Sequence, residues 1–149
     1  MLSATAEYAL RAMTHLARQS REGIVLGRDL SREADVPSAY LTKVLLTLRN
    51  AGLVETVRGT GGGYRLGRTP EQIFLIDIVE LFEGQKTRSK CLLGHLRECS
   101  DKDPCSAHRI WQGVRAAYLG LLVSTSLAEI AGLAPPPAMP IDQLDGRAQ

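Results

Sequence analysis

Long apolar runs, internal repeats and paired cysteine knuckles are all missing from this chain, and each absence narrows what it does. No stretch approaches the ~18 consecutive apolar residues needed to cross a bilayer. The opening segment, residues 1–19, interleaves acid and base with its apolar positions and has no hydrophobic signal core, which gives the expectation of a cytoplasmic protein without a membrane partner. Cysteine is scarce, with three residues in 149. An odd count cannot pair fully within one chain, and in a reducing compartment it favours metal binding or a reactive thiol over a disulfide framework. A glycine cluster occurs at Gly61-Gly62-Gly63, but no Gly-Lys-Ser/Thr follows it, so it is not a nucleotide-phosphate loop. With no nucleophile–base pair either, no enzyme activity is expected.

What is present fits one ordinary globular core: 44% apolar and 23% charged residues. The net charge of +2 conceals an asymmetry. Residues 1–70 hold ten Lys and Arg against six Asp and Glu, whereas residues 71–149 hold eight against ten. The basic excess therefore lies in the half without cysteine, a modest pointer to a polyanionic partner.

Apolar spacing predicts a helix over residues 3–19, with Tyr8, Ala9, Ala12, Met13, Leu16 and Ala17 on one face and Glu7, Arg11, His15 and Arg18 opposite. Ile24–Leu26 reads as a short strand and Gly27–Ala34 as a second helix. Pro37 forces Val36 out of helical geometry, and Ser38 is placed to cap a third helix over Ala39–Ala51, with Tyr40, Leu41, Val44, Leu45 and Leu48 inward and Gly52 as its stop. Leu53–Arg58 and Tyr64–Leu66 then read as strands joined by a turn at 60–63.

That order, helix, helix, turn, helix and glycine-tipped hairpin, is the order of a winged helix-turn-helix. The fold class expected is mainly α with a small β-wing, completed by a long dimerisation helix. Residues 39–50 would enter the major groove of double-stranded DNA, offering Ser38, Tyr40, Thr42, Lys43, Thr47, Arg49 and Asn50. In the wing, Gly61 and Gly62 allow close backbone approach, and Arg58 and Arg65 supply counter-charge to phosphate.

Beyond the break at Thr69-Pro70, Phe74–Glu83 reads as an amphipathic helix and residues 85–103 as a polar loop. Asp103-Pro104 is expected to open a long helix reaching about Ser126, striped by Ile110, Trp111, Val114, Ala117, Tyr118, Leu121, Leu122 and Thr125. A stripe of that length exceeds what so small a chain can cover, so it is expected to pack on its copy in a homodimer. Residues 127–133 form a last helical piece, and the Pro-rich tail 134–149 reads as disordered. The domain division is thus 1–70 for DNA, 71–133 for the cysteine loop and dimer helices, and 134–149 as tail.

Cys91, Cys99 and Cys105 all fall within fifteen residues, with His108 three beyond the last. Such clustering suits ligands of a soft metal or an iron–sulfur centre of two or four irons. Cys105 is expected in the first turn of the long helix, where the helix dipole favours the thiolate. Lys90, Arg97 and Lys102 add positive charge around an anionic thiolate centre. Zinc would accept the same donors, but usually from Cys-x2-4-Cys knuckles. His108, fixed by its spacing from Cys105, is the local candidate for a fourth ligand. His95 is a more distant candidate, and His15 is expected at the surface.

Three runs carry a family likeness: Tyr8-Ala9-Leu10 through Tyr40-Leu41, Leu48-Arg49-Asn50-Ala51-Gly52-Leu53-Val54, and Arg58 through Tyr64. Together they resemble the Rrf-type winged-helix transcription regulators, which include iron–sulfur assembly, nitric-oxide and iron regulators. The likeness spans roughly residues 1–133. It implies a homodimer with crossed long helices on a pseudo-palindromic operator. It also implies an iron–sulfur cluster held by three cysteines, with Cys91, Cys99 and Cys105 at those positions. In this resemblance, the fourth ligand is either a histidine placed as His108 is or a carboxylate placed as Glu7 is, supplied by the partner subunit. Position 42, a specificity position in the resemblance, carries a short hydroxyl here. The function expected is DNA binding controlled by cluster state. The alternatives are a cluster-free thiol or zinc sensor of the same fold, and a small iron–sulfur electron carrier.

Overall fold

The computed structural model describes residues 2–19, 23–84, 91–93 and 100–136. The chain opens with helix α1, Ala4–Arg18, started by Ser3, whose hydroxyl accepts from the Ala6 amide at 3.2 Å. Its inner face is Ala6, Ala9, Ala12, Met13, Leu16 and Ala17, the 3-and-4 spacing of a single apolar stripe. The small alanines let α1 lie close against its neighbours. Two expectations shift here. Tyr8 is half-buried and its ring meets that of Tyr40 at 5.7 Å, and Tyr40 is exposed rather than turned into the core. His15 is also half-buried, because Glu33 on the next helix draws its Nε2 to 2.9 Å.

The expected strand at Ile24–Leu26 is reduced to one bridge, Val25 to Tyr64. Helix α2, Gly27–Glu33, follows, and Asp35 turns the chain with a positive φ of 52°. Aspartate tolerates that region better than most residues. Arg11 on α1 donates to the Asp35 carbonyl at 3.1 Å and so ties the turn down. Helix α3 is Ser38–Asn50. Pro37, not Ser38, occupies its cap position, and the Pro37 carbonyl accepts from Tyr40 and Leu41 at 2.9 and 3.0 Å.

Strands β1, Val54–Val57, and β2, Gly63–Leu66, pair antiparallel, with Glu55 opposite Arg65 and Thr56 opposite Tyr64. A single 3-10 turn at Pro70–Gln72 leads to α4, Leu75–Glu83. Helices α5, His108–Ser124, and α6, Leu127–Ile130, complete the described structure.

Both ends of α5 depart from the sequence expectation. It starts at His108 rather than at Asp103-Pro104, so Cys105 sits in the turn before the helix and not in its first turn. The dipole argument for that thiol therefore does not apply. It stops at Ser124 because the next residues pair with the chain before α4. Leu75 donates to the Thr125 carbonyl at 2.9 Å, and Leu127 donates to the Ile73 carbonyl at 2.7 Å. Ser126 then caps α6 by a reciprocal contact with Glu129.

One core joins α1, α2, α3, the hairpin base, Ile73, Ile78 and Leu127. A second, smaller cluster of Leu75, Val79 and Leu122 seats α5 on α4. Leu48, fully buried on α3, anchors the first of these. Leu48→Ala is expected to cost about 3 kcal/mol from lost transfer energy and the cavity left behind, read as a lower urea midpoint at constant slope. A loss below about 1 kcal/mol would mean that the core collapses freely around this site.

Candidate functional site

Helix α3 divides cleanly. Leu41, Val44, Leu45 and Leu48 are buried, and Ser38, Tyr40, Thr42, Lys43, Arg49 and Asn50 are exposed. This is the geometry of a helix held by one face and free to read a groove with the other. Thr42 and Thr47 donate their hydroxyl protons back to the carbonyls of Ser38 and Lys43, at 3.1 and 3.2 Å. Leu46, half exposed in the middle of the outer face, was passed over by the sequence reading, although its spacing from Thr42 and Lys43 placed it there.

The wing loop runs from Arg58 to Gly62, with Arg58 and Gly61 exposed and Gly61 at a φ of 79°. A Cβ on Gly62 would lie 2.3 Å from the Val57 carbonyl oxygen, so the loop closes too tightly for any side chain there. Arg65 behaves differently from Arg58. Its Nε donates to Glu55 across the two strands at 2.9 Å, so part of its charge is already balanced within the wing.

The thiol site lies at the start of α5. Cys91 Sγ and Cys105 Sγ approach to 3.6 Å, with Cys91 only 8% exposed and Cys105 half-buried. Two thiolates on one tetrahedral metal with bonds of about 2.3 Å lie about 3.8 Å apart, close to this pair, but among the described residues no group of three or more such donors gathers around it. The Cys105 carbonyl accepts from the His108 amide at 2.9 Å, which fixes His108, itself 8% exposed, one turn from the thiol. Cys99, His95, Lys90 and Arg97 lie outside the described residues.

Two groups that the sequence reading did not find gather at the His108 ring. Its Nε2 lies 2.7 Å from Asp101 Oδ1 and 2.8 Å from the Gln112 amide nitrogen, and that amide donates to the same Asp101 oxygen at 2.9 Å. Two donors do not bond each other, so the ring proton and the amide both go to Asp101. The His108 hydrogen bond is the main cause that holds the Asp101 carboxyl below its ordinary range. Gln112 was legible as the i+4 neighbour of His108, whereas Asp101 arrives only through the turn at 101–107. A metal reaching His108 through Nε2 displaces Asp101; one reaching Nδ1 keeps Asp101 as the orienting carboxylate usual behind ligand histidines. Glu7, the other candidate, is exposed on the first turn of α1.

Further along α5, Ile110 is 75% exposed, and Val114 is exposed on the same face. Tyr118 and Leu122 instead reach the α4 cluster. Among the described residues, Arg115 Nε and the Tyr118 hydroxyl are buried without a hydrogen-bond partner. Burial, followed by the charge of Glu83, pushes the Tyr118 phenol up.

A three-helix core with a hairpin wing and one helix face bare for a groove defines a winged helix-turn-helix DNA-binding protein. The chain belongs to the Rrf2 family, described as an iron-dependent transcriptional regulator, whose pattern matches residues 2–132. The HTH-type transcriptional regulator IscR of Xenorhabdus nematophila is 33% identical over 129 residues, covering 87% of this chain and 77% of the relative. Among solved structures, CymR of B. subtilis, titled its global cysteine regulator, superposes with a TM-score of 0.75 at 29% identity over 90% of this chain and 98% of its own. IscR of T. potens does so with a TM-score of 0.70 at 30% identity over 89% and 86%. The chain is therefore a transcription regulator and not an enzyme, in place of the electron-carrier alternative. No helix among the described residues is long and apolar enough to cross a membrane.

Proposed function

We propose that this regulator is a cytoplasmic homodimer whose affinity for double-stranded operator DNA is set by an iron–sulfur cluster. The carrying observation is the approach of the Cys91 and Cys105 sulfurs to 3.6 Å, one turn from His108. Cys91, Cys99 and Cys105 would hold the cluster, and its soft, anionic donor set suits iron and sulfide. When bound, an iron–sulfur cluster supplies a centre that reacts with oxidants and nitric oxide and that depends on iron supply. The chain's own residues convert that state into DNA affinity. Ligation at Cys105 and His108 fixes the start of α5; α5 bears on α4 through Leu122, and α4 shares the α1–α3 core through Ile78. A packed series of this kind carries a change at one end to the other only if it has two arrangements that the ligand distinguishes.

The division into a DNA unit over 1–70 and a sensing and dimerisation unit over 71–133 follows this logic. Support for the dimer comes from the bare Ile110 and Val114 face, which a second α5 would cover. On DNA, Ser38, Tyr40, Thr42, Lys43 and Arg49 are assigned to the major groove, and Arg58, Gly61, Gly62 and Arg65 to the wing contact. Arg65 is the weakest of these because Glu55 already engages it.

His108 is assigned as fourth ligand, from within the subunit, and Glu7 of the partner subunit is the rival. His108→Ala is expected to bleach the cluster absorption and lower retained iron by about 10- to 100-fold in affinity, while Glu7→Ala leaves both near wild type. The reverse pattern in anaerobically isolated protein would move the ligand to the partner. The 3.6 Å thiol spacing also favours a second reading, a zinc or cluster-free thiol sensor, and the likeness to a cysteine regulator points the same way. Iron and acid-labile sulfide assays decide: a colourless protein with stoichiometric zinc, or with no metal, selects the second reading.

A further inference from the structure

The outer face of α3 is unusual in what occupies its centre. Ala39, Thr42, Lys43, Leu46 and Asn50 follow the spacing of one helical face, and all are exposed. Of these, Lys43 sits to one side, with a cation for phosphate or guanine, and Asn50 closes the far end. The middle is apolar. Leu46 is 50% exposed and lies outside both apolar clusters of the fold. Thr42, one turn before it, spends its hydroxyl proton on the Ser38 carbonyl at 3.1 Å. What Thr42 has left to offer a base is a methyl group and an acceptor lone pair.

A leucine at the centre of a groove-reading face can neither donate to phosphate nor bond a base edge. In the major groove the one apolar feature that distinguishes a base pair is the 5-methyl group of thymine. Resting on the DNA-binding reading above, we propose that Leu46, with the Thr42 methyl beside it, packs on thymine 5-methyl groups and so selects A·T pairs near the centre of each half-site. The contact is specific because a leucine over guanine or cytosine leaves their polar edges dehydrated and unpaired. Arg49 and Arg58 would supply affinity without base preference, and the Leu46 contact would supply discrimination at A·T pairs.

The test uses duplexes enriched by the purified, anaerobically isolated protein from a random-sequence pool. Each thymine of the best duplex is then replaced singly by deoxyuridine, which removes only the methyl group. Wild type is expected to lose about fourfold in affinity at one or two thymines per half-site, the worth of one buried methyl group. Leu46→Ala should lose this dependence at those positions, and Leu46→Met, of similar volume, should keep it. Both variants sit on an exposed face, and their melting temperatures should match wild type within about two degrees. If no deoxyuridine substitution weakens wild-type binding, or if Leu46→Ala keeps the full methyl dependence, the inference is overturned while DNA binding stands. If no duplex binds in a salt-sensitive manner, the DNA-binding reading fails and takes the inference with it.

Discussion

Cys105→Ala should be colourless, should retain no more than about a hundredth of the wild-type affinity for iron, and should bind DNA equally with or without oxidant or nitric oxide. The loss follows from the site's construction. Cys105 approaches Cys91 to 3.6 Å and is also the residue whose carbonyl fixes the first turn of α5. Removing the thiol leaves that backbone contact in place, so the switch is lost while the fold stays. Cys105 is half-buried and belongs to neither apolar cluster, so with both proteins stripped of iron the stabilities should differ by less than about 1 kcal/mol, the iron-loaded wild type being further stabilised by its bound centre. Anaerobic absorption spectra, iron and sulfide content, and fluorescence-anisotropy titration with an enriched duplex read the three quantities separately. Wild-type iron content in the variant would show that Cys105 is not a ligand. A variant whose DNA binding still responds to oxidant would place the sensing elsewhere.

Gly63→Ala is the second large expected effect, and it acts on the wing. A Cβ at this position would lie 2.3 Å from the Val25 carbonyl oxygen and 2.7 Å from its carbon, both backbone atoms that have no rotamer to yield. The same carbonyl accepts from the Tyr64 amide at 2.8 Å, and the Val25 amide donates back to Tyr64 at 2.9 Å. These two bonds are what attach the hairpin to the segment before α2. Relieving the clash means giving them up, so the expected cost is about 3 kcal/mol, or roughly 10 °C in melting temperature for a chain of this size. With the wing detached, DNA affinity should fall about tenfold or more even at temperatures where the core stays folded. Circular dichroism melts and anisotropy at low temperature separate the two effects. A variant with unchanged melting and unchanged affinity would mean that the Val25 pairing is dispensable to the wing.

Much of the architecture was legible before any coordinates. Most of the inner face of α1 (Ala9, Ala12, Met13, Leu16 and Ala17, though not Ala6) was named in advance, because an amphipathic helix shows its buried side as a 3.6-residue period. The helix-turn-helix and hairpin order was equally plain, since Pro37, Gly52 and the cluster at Gly61–Gly63 punctuate the chain where elements must stop. Local rules failed where distant backbone intervened. Asp103-Pro104 carries the signal of a helix start, yet α5 begins at His108. At its other end the stripe runs on through Thr125, but Ile73 and Leu75 capture the backbone at 125–127 and end the helix. Tyr40 shows the same limit from the other side: its spacing said inward, but the ring of Tyr8 holds it at the surface.

The candidate site divides in the same manner. Three cysteines within fifteen residues, with His108 nearby, marked the region as the candidate site from composition and spacing alone. Nothing linear could show that Cys91 and Cys105, fourteen residues apart, bring their sulfurs to 3.6 Å, or that Asp101 and Gln112 converge on the His108 ring. Periodicity and punctuation record what each segment does with its own neighbours, and that sufficed for the winged-helix class. Distances between side chains from different segments depend on how the helices pack. It was therefore the packed chain that withdrew the helix dipole from Cys105, balanced Arg65 with Glu55 and left Leu46 bare at the centre of the reading face.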